Sequence, residues 1–218
     1  MNRTKRPIRP RLLSTCFFLI ACGATQSAFS VEFKDYDFSR YSQTVTECDR
    51  LAAHGRDPGS VAPPVTSSTM DKEAAIEACE AAVKADPENP RLNYQLGRAY
   101  GYSGRGEEAM PYRLKALEKE YPQSLFVIGY LYKIGRTIEP DTCKAVTLWR
   151  KAAQYRRLAA LVALPRHYMR GDFDSCDVEI SGEELGAYLD AAGELSDDFY
   201  VGMLIEDLQT ELSGWKNQ

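Results

Sequence analysis

The chain has 218 residues and a formal net charge of −4. That length allows one domain able to bury a core, and the acidity argues against nucleic acid as the main partner. The only histidines, His54 and His167, lie far apart and in no metal-ligand or nucleophile pattern, so no catalytic residue, metal site or cofactor is expected.

Arg3, Lys5, Arg6, Arg9 and Arg11 form a basic start without an acid, and an apolar run from Leu12 to Ala21 follows. At about ten residues this run is half the length of a membrane-spanning helix, so residues 1–30 read as a bacterial-type secretory signal. Taking those five positive charges off −4 leaves −9 for the remainder. Two exits from the signal are legible. Ala28-Phe29-Ser30 is a small-x-small site before Val31 and would release a soluble periplasmic protein. Leu19-Ile20-Ala21-Cys22 resembles the lipobox of bacterial lipoproteins, which would limit the signal to residues 1–21 and make Cys22 the lipidated first residue. Both readings stay open. Four cysteines remain, Cys48, Cys79, Cys143 and Cys176; an even count in an exported chain favours disulfides, although four cysteines allow three pairings.

From Tyr41 onward the pattern is helix after helix, with no alternating strand pattern. Tyr41, Val45, Cys48, Leu51 and Ala52 recur at helical spacing, and a stretch from Gly55 to Ser68 with Pro58, Gly59, Pro63 and Pro64 then breaks the pattern. Thr69 can cap a second helix from about Met70 to Ala85, with Asp71 and Glu73 in its first turn and a stop at Asp86-Pro87. Residues 31–70 thus form an N-terminal helix and a proline-rich loop. Because these two helices must pack antiparallel across the loop, with each cysteine on an inward stripe, Cys48 should pair with Cys79; Cys143 and Cys176 would then pair, joining the starts of neighbouring repeat turns.

An internal period follows. Ala75, Ala82 and Pro87 return as Ala109, Ala116 and, one place late, Pro122, a spacing close to 34, and Leu96-Gly97-Arg98-Ala99-Tyr100 stands between them. This resembles the tetratricopeptide repeat, in which Gly and Ala let two antiparallel helices approach while Leu and Tyr fill the gap to the next pair. Ile128-Gly129-Tyr130-Leu131-Tyr132, Ile134-Gly135 and Asp141-Thr142-Cys143-Lys144-Ala145, with Trp149 and Lys151-Ala152-Ala153 behind, are similar to the Sel-one-like variant. Gly129 and Ala145 are sixteen apart where Gly97 and Ala109 are twelve, which implies a longer turn. Tyr132 and Gly135 recur at Tyr168 and Gly171, but Pro165 stands where Gly129 would recur, so a bent or short helix is expected there. Repeats would occupy residues 71–195, and 196–218 would hold an amphipathic capping helix, from about Asp197 to Leu212, with Phe199, Met203, Leu204 and Leu208. The segment Cys48-Asp49-Arg50-Leu51-Ala52-Ala53, with Ala78-Cys79 and Asn89-Pro90-Arg91, also resembles one that precedes such repeats in uncharacterised bacterial exported proteins. The fold these resemblances imply is an all-α superhelix, a short solenoid of antiparallel helix pairs.

Two chemical motifs are set aside. Gly101-Tyr102-Ser103-Gly104-Arg105 has arginine where a nucleophile elbow needs glycine, and it falls between helices. Asp172, Asp174 and Glu183 match positions of a calcium loop, but Asp177 stands where the bend needs glycine. A surface is the better candidate. If the first helix of each pair lines a concave side, Arg91, Tyr94, Arg98 and Tyr102, then Tyr130 and Lys133, then Arg166 and Arg170 form a basic and aromatic stripe. Arginine and tyrosine are favoured anchors of protein contacts, although some of these tyrosines would belong to the core. The expected function is therefore to bind another protein or a peptide segment of the cell envelope, not to catalyse a reaction. Contact with nucleic acid is not expected, and contact with a membrane only through a lipid on Cys22. The rival expectation is self-association, with the stripe as an assembly interface.

Overall fold

The computed structural model describes residues 31–215. The basic start, the apolar run, Cys22 and the Ala28-Phe29-Ser30 exit lie outside the described residues. A 3-10 turn at Phe38–Arg40 is followed by α1 (Glu47–Ala52), α2 (Lys72–Ala85), α3 (Pro90–Tyr102), α4 (Gly106–Glu118), α5 (Pro122–Ile134), α6 (Thr142–Gln154), α7 (Leu158–Met169), α8 (Gly182–Leu195) and α9 (Phe199–Trp215). No strand occurs among the described residues. Consecutive helices pack as pairs, α3 on α4, α5 on α6 and α7 on α8, and α9 closes the stack against α8 and α7. None of the described helices is long and apolar enough to cross a membrane.

Local chemistry sets the helix ends. Asp71, Asp141 and Ser181 each accept the backbone N–H three residues on, satisfying donors that the first turn leaves unpaired. Pro90 and Pro122 open α3 and α5, where a missing N–H costs nothing. Gly135 ends α5 at φ +63°, a conformation that suits glycine.

The repeat is visible in the way the pairs cross. A Cβ placed on Gly97 would lie 3.2 Å from the Ala109 carbonyl oxygen, and one placed on Gly129 would lie 3.2 Å from the Ala145 carbonyl oxygen. Both units therefore close on a glycine of the first helix facing the carbonyl of an alanine in the second. Behind Gly129 the indole of Trp149 fills the gap, donating to the Phe126 carbonyl at 3.0 Å. The α5–α6 turn is the longer of the two, as the sixteen-residue spacing implies. The main core runs from Leu125 and Trp149 through Leu161 and Leu164 to Tyr188, Leu189 and Leu208; a second gathers Cys48, Cys79, Leu92, Leu96 and Tyr100. Both cysteine pairs stand as disulfides, Cys48 with Cys79 at a Cα separation of 4.4 Å and Cys143 with Cys176 at 5.2 Å.

Several boundaries differ from the sequence reading. Helix α1 begins at Glu47, not near Tyr41, because Thr46 and Asp49 form a reciprocal capping box. Asp71 caps α2, while Thr69 closes a small turn with Thr66. Helix α7 continues through Pro165 and runs 12 residues, against 13 for α5. On α9, Ile205, Leu208 and Leu212 are buried, whereas Phe199 and Met203 point to solvent.

Candidate protein-binding cleft

The anticipated stripe divides into a sealed part and an open part. Helix α1 and the proline-rich loop lie over one side of α3 and take up its polar residues. Arg91 is 2% exposed; its Nε donates to Asp49 Oδ1 at 2.8 Å, and its Nη atoms donate to Asp49 Oδ2 and to the Ser42 and Thr44 carbonyls. Asp49 also accepts from Gln95 at 3.0 Å and from the Thr46 backbone N–H at 2.8 Å. Arg98 is 5% exposed and donates to the carbonyls of Ala52 (2.9 Å), Ala53 (3.2 Å) and Val65 (2.6 Å), so it clasps the chain on both flanks of the proline-rich loop. Tyr94 is buried against Tyr121, with Gln123 donating to its hydroxyl at 2.8 Å. Arg91, Arg98 and Tyr94 are therefore fixed inside the fold instead of facing solvent from a groove. The Asp49 that pairs with Arg91, and the carbonyls that hold Arg98, come from outside the repeats, and repeat geometry alone gives no sign of them.

The far end of the stripe is separate. Lys133 pairs with Asp172 at 2.7 Å and lies over the Phe173 ring. The same Asp172 oxygen meets His167 Nδ1 at 2.6 Å, so a carboxylate that matched a calcium-loop position is already held by two side chains. Arg166 is half-buried and lines a shallow depression with Arg56 and Val201, while Arg170 is exposed. These residues do not join Tyr102 and Tyr130.

What remains open is a cleft of about 430 Å³ between α3, the start of α4, α5 and the turn after it. Tyr102 and Tyr130 line it and are roughly half exposed. Arg98 forms part of its floor, below the ring of Tyr102 at 5.1 Å. Two further arginines enter. Arg136 comes from the α5–α6 turn, and Arg113 reaches in from α4, its stem lying across Gly97 and its guanidinium against Gly101. A Cβ on Gly97 would approach Arg113 Cγ to 2.7 Å, so these two glycines, one turn apart on α3, make the seat for the arginine. Among the described residues Arg113 has no hydrogen-bond or ion-pair partner, and its Nε is buried without one, as is that of Arg98. Burial, with Arg136 nearby, holds Arg113 below the usual arginine pKa. Glu107 is the one carboxylate that lines the cleft. Sequence reasoning missed Arg113 because it belongs to a second helix, whose surface was expected to face away; the Gly97, Gly101 spacing was the available signal, and Gly101 had been assigned to a turn.

Under the proline-rich loop lies a second polar cluster. Asp57 is fully buried, accepting from the Tyr121 hydroxyl at 2.8 Å and the Gly59 backbone N–H at 3.0 Å, and burial pushes its pKa up to about 6. His54, beside Tyr94, is lowered to about 4 by burial and by Arg98, Arg157 and Arg56. Arg157 is buried, donates to Gln123 and stacks over Phe126. No group of three or more His, Cys, Asp or Glu side chains able to hold a metal occurs among the described residues.

The matching glycine crossings in α3–α4 and α5–α6 decide the architecture. The chain is an all-helical protein built from repeated antiparallel helix pairs. No protein-family model and no curated protein matches it. A solved structure, a Sel1 repeat protein from Oxalobacter formigenes, is similar at 19% identity and a TM-score of 0.49, over 73% of this chain and 66% of that one. The present chain thus spans just under two thirds of that neighbour's length.

Proposed function

We propose that this is an exported helical-repeat protein of the bacterial envelope that binds a segment of another protein in the cleft between α3, α4 and α5. The observation that carries the reading is the cleft itself: two half-exposed tyrosines and two unpaired arginines converge on one concavity of an otherwise acidic molecule. Side chains of these two types supply much of the energy at protein interfaces. Export is supported by the two disulfides, which persist in oxidising compartments, together with the basic and apolar start of the sequence. Attachment through Cys22 or release before Val31 is distinguished by the mass of the mature N-terminus. A diacylated Cys22 would keep the protein in the membrane fraction.

The direct test is capture from an envelope extract by the mature protein and by a Tyr102→Ala, Tyr130→Ala variant. Loss of the captured protein in the variant, at an unchanged melting temperature, is expected; equal capture moves the binding surface elsewhere.

Self-association has its own observation. Leu195, Phe199, Tyr200 and Met203 form an exposed apolar group where α8 passes into α9, with Tyr200 80% exposed. Light scattering on the mature protein and on a Phe199→Ser, Tyr200→Ser variant tests it, a dimer that becomes monomeric being the supporting result.

A further inference from the structure

The cleft contains a cation with no acceptor. Arg113 is largely buried by Gly97, Gly101 and the walls of the cleft, yet it bonds to no carboxylate, carbonyl or hydroxyl. The other buried arginines differ in this respect. Arg91 has Asp49, Arg98 has three carbonyls, and Arg157 has Gln123. A guanidinium removed from water without a partner is costly, so Arg113 calls for an acceptor that the described residues do not supply. Arg136 adds a second unpaired guanidinium to the same lining, against Glu107 as the only lining acid. Tyr102 and Tyr130 flank the arginines with exposed rings able to lie along a polypeptide.

We infer that Arg113 and Arg136 receive a carboxylate of the bound segment, with Arg113 as the buried anchor and Gly97 and Gly101 as the seat that admits it. The inference rests on the cleft being the binding site and names the group bound there. Planar guanidinium forks match a carboxylate with two parallel hydrogen bonds. That carboxylate has two sources on a protein, an acidic side chain or the chain terminus.

The experiment titrates the mature protein with three fluorescein-labelled peptides and follows anisotropy: one ending in Gly-Glu-Glu with a free terminus, the same peptide amidated, and an amidated Gly-Gln-Gln peptide. The inference requires at least tenfold tighter binding of an acidic peptide than of the Gln peptide. Retention of affinity on amidation assigns a side-chain carboxylate, and loss assigns the terminus. Arg113→Met should bind at least tenfold more weakly while melting at the same or a higher temperature, because the stem still packs on Gly97 and an unpaired buried charge is gone. Arg136→Gln, on an exposed turn, should weaken binding without altering folding and so controls for a damaged core. Equal binding of the acidic and Gln peptides, binding of none of the three, or full affinity in both arginine variants overturns the inference, as does a sharp fall in the melting temperature of Arg113→Met. If the tyrosine variant abolishes capture of an envelope protein while both arginine variants retain it, the cleft stands as the binding site and the carboxylate contact falls.

Discussion

The two sides of α3 present arginine in opposite conditions. On the side covered by α1 and the proline-rich loop, Arg91 donates to Asp49 and two carbonyls and Arg98 to three carbonyls, closing the N-terminal unit onto the repeats. On the side facing α4 and α5, Arg113 and Arg136 have no acceptor among the described residues. The same residue type thus acts as internal cement in one place and is left without an acceptor in another. Spacing along a helix does not separate the two; the carboxylates and carbonyls brought in from distant segments do.

The comparison breaks most visibly at Arg91. Arg91→Ala leaves the buried Asp49 carboxylate without its counter-charge, and it should cost about 3 to 5 kcal/mol in urea unfolding. A loss below about 1 kcal/mol would mean that α1 is not held to α3 by this pair.

Slightly smaller is the effect of the covalent clasp on the same side. Replacing Cys48 and Cys79 together by alanine should cost about 3 to 4 kcal/mol, since the bond closes a loop across a sequence separation of 31. Peptide mapping without reduction must first recover Cys48 linked to Cys79; recovery of Cys48 linked to Cys143 would contradict the helix arrangement.

The loop between these clasps carries a pH signature with two opposed parts. Asp57 takes up a proton at about pH 6 in the folded protein and near 3.8 in the unfolded chain, so its contribution grows as pH falls through that window, by about 3 kcal/mol at most. His54 works the other way. Its folded pKa of about 4 lies below the unfolded value of 6.5, so stability present at neutral pH is lost as pH falls from 6.5 toward 4. The wild type should therefore show little net change from this pair between pH 6.5 and 4. His54→Gln should gain stability on acidification, and Asp57→Asn should lose it. Parallel pH profiles for the two variants would show that the loop does not bury these groups.

The repeat was legible because its signal is local. Leu96-Gly97 with Ala109, and Ile128-Gly129 with Ala145 and Trp149, specify close crossings that depend on small residues at fixed spacing. The Cys48–Cys79 pairing followed from helix faces in the same way, and it left Cys143 to Cys176. The beginning of α1 was not legible, because helical spacing from Tyr41 concealed a capping box at Thr46 and Asp49. Phe199 was expected on a buried face, but α9 turns its Ile205, Leu208 and Leu212 side inward. The exposure of the stripe was misjudged for a related reason. Arg91 and Arg98, seven apart on α3, looked like an open row, and the acceptors that bury them lie about 33 to 49 residues earlier in sequence. Arg113 had the opposite fate, since nothing in α4 marks it until the bare face of α3 opposite is seen.

The division between the two sides of α3 is tested most directly by the urea midpoints of Arg91→Met, Arg98→Met, Arg113→Met and Arg136→Met, measured on the mature protein at neutral pH. Arg91→Met and Arg98→Met should fall, the latter by about 2 kcal/mol from its lost carbonyl contacts, while Arg113→Met and Arg136→Met should stay level or rise. A fall in Arg113→Met as large as that in Arg91→Met would contradict the account, placing Arg113 among the arginines that hold the fold together.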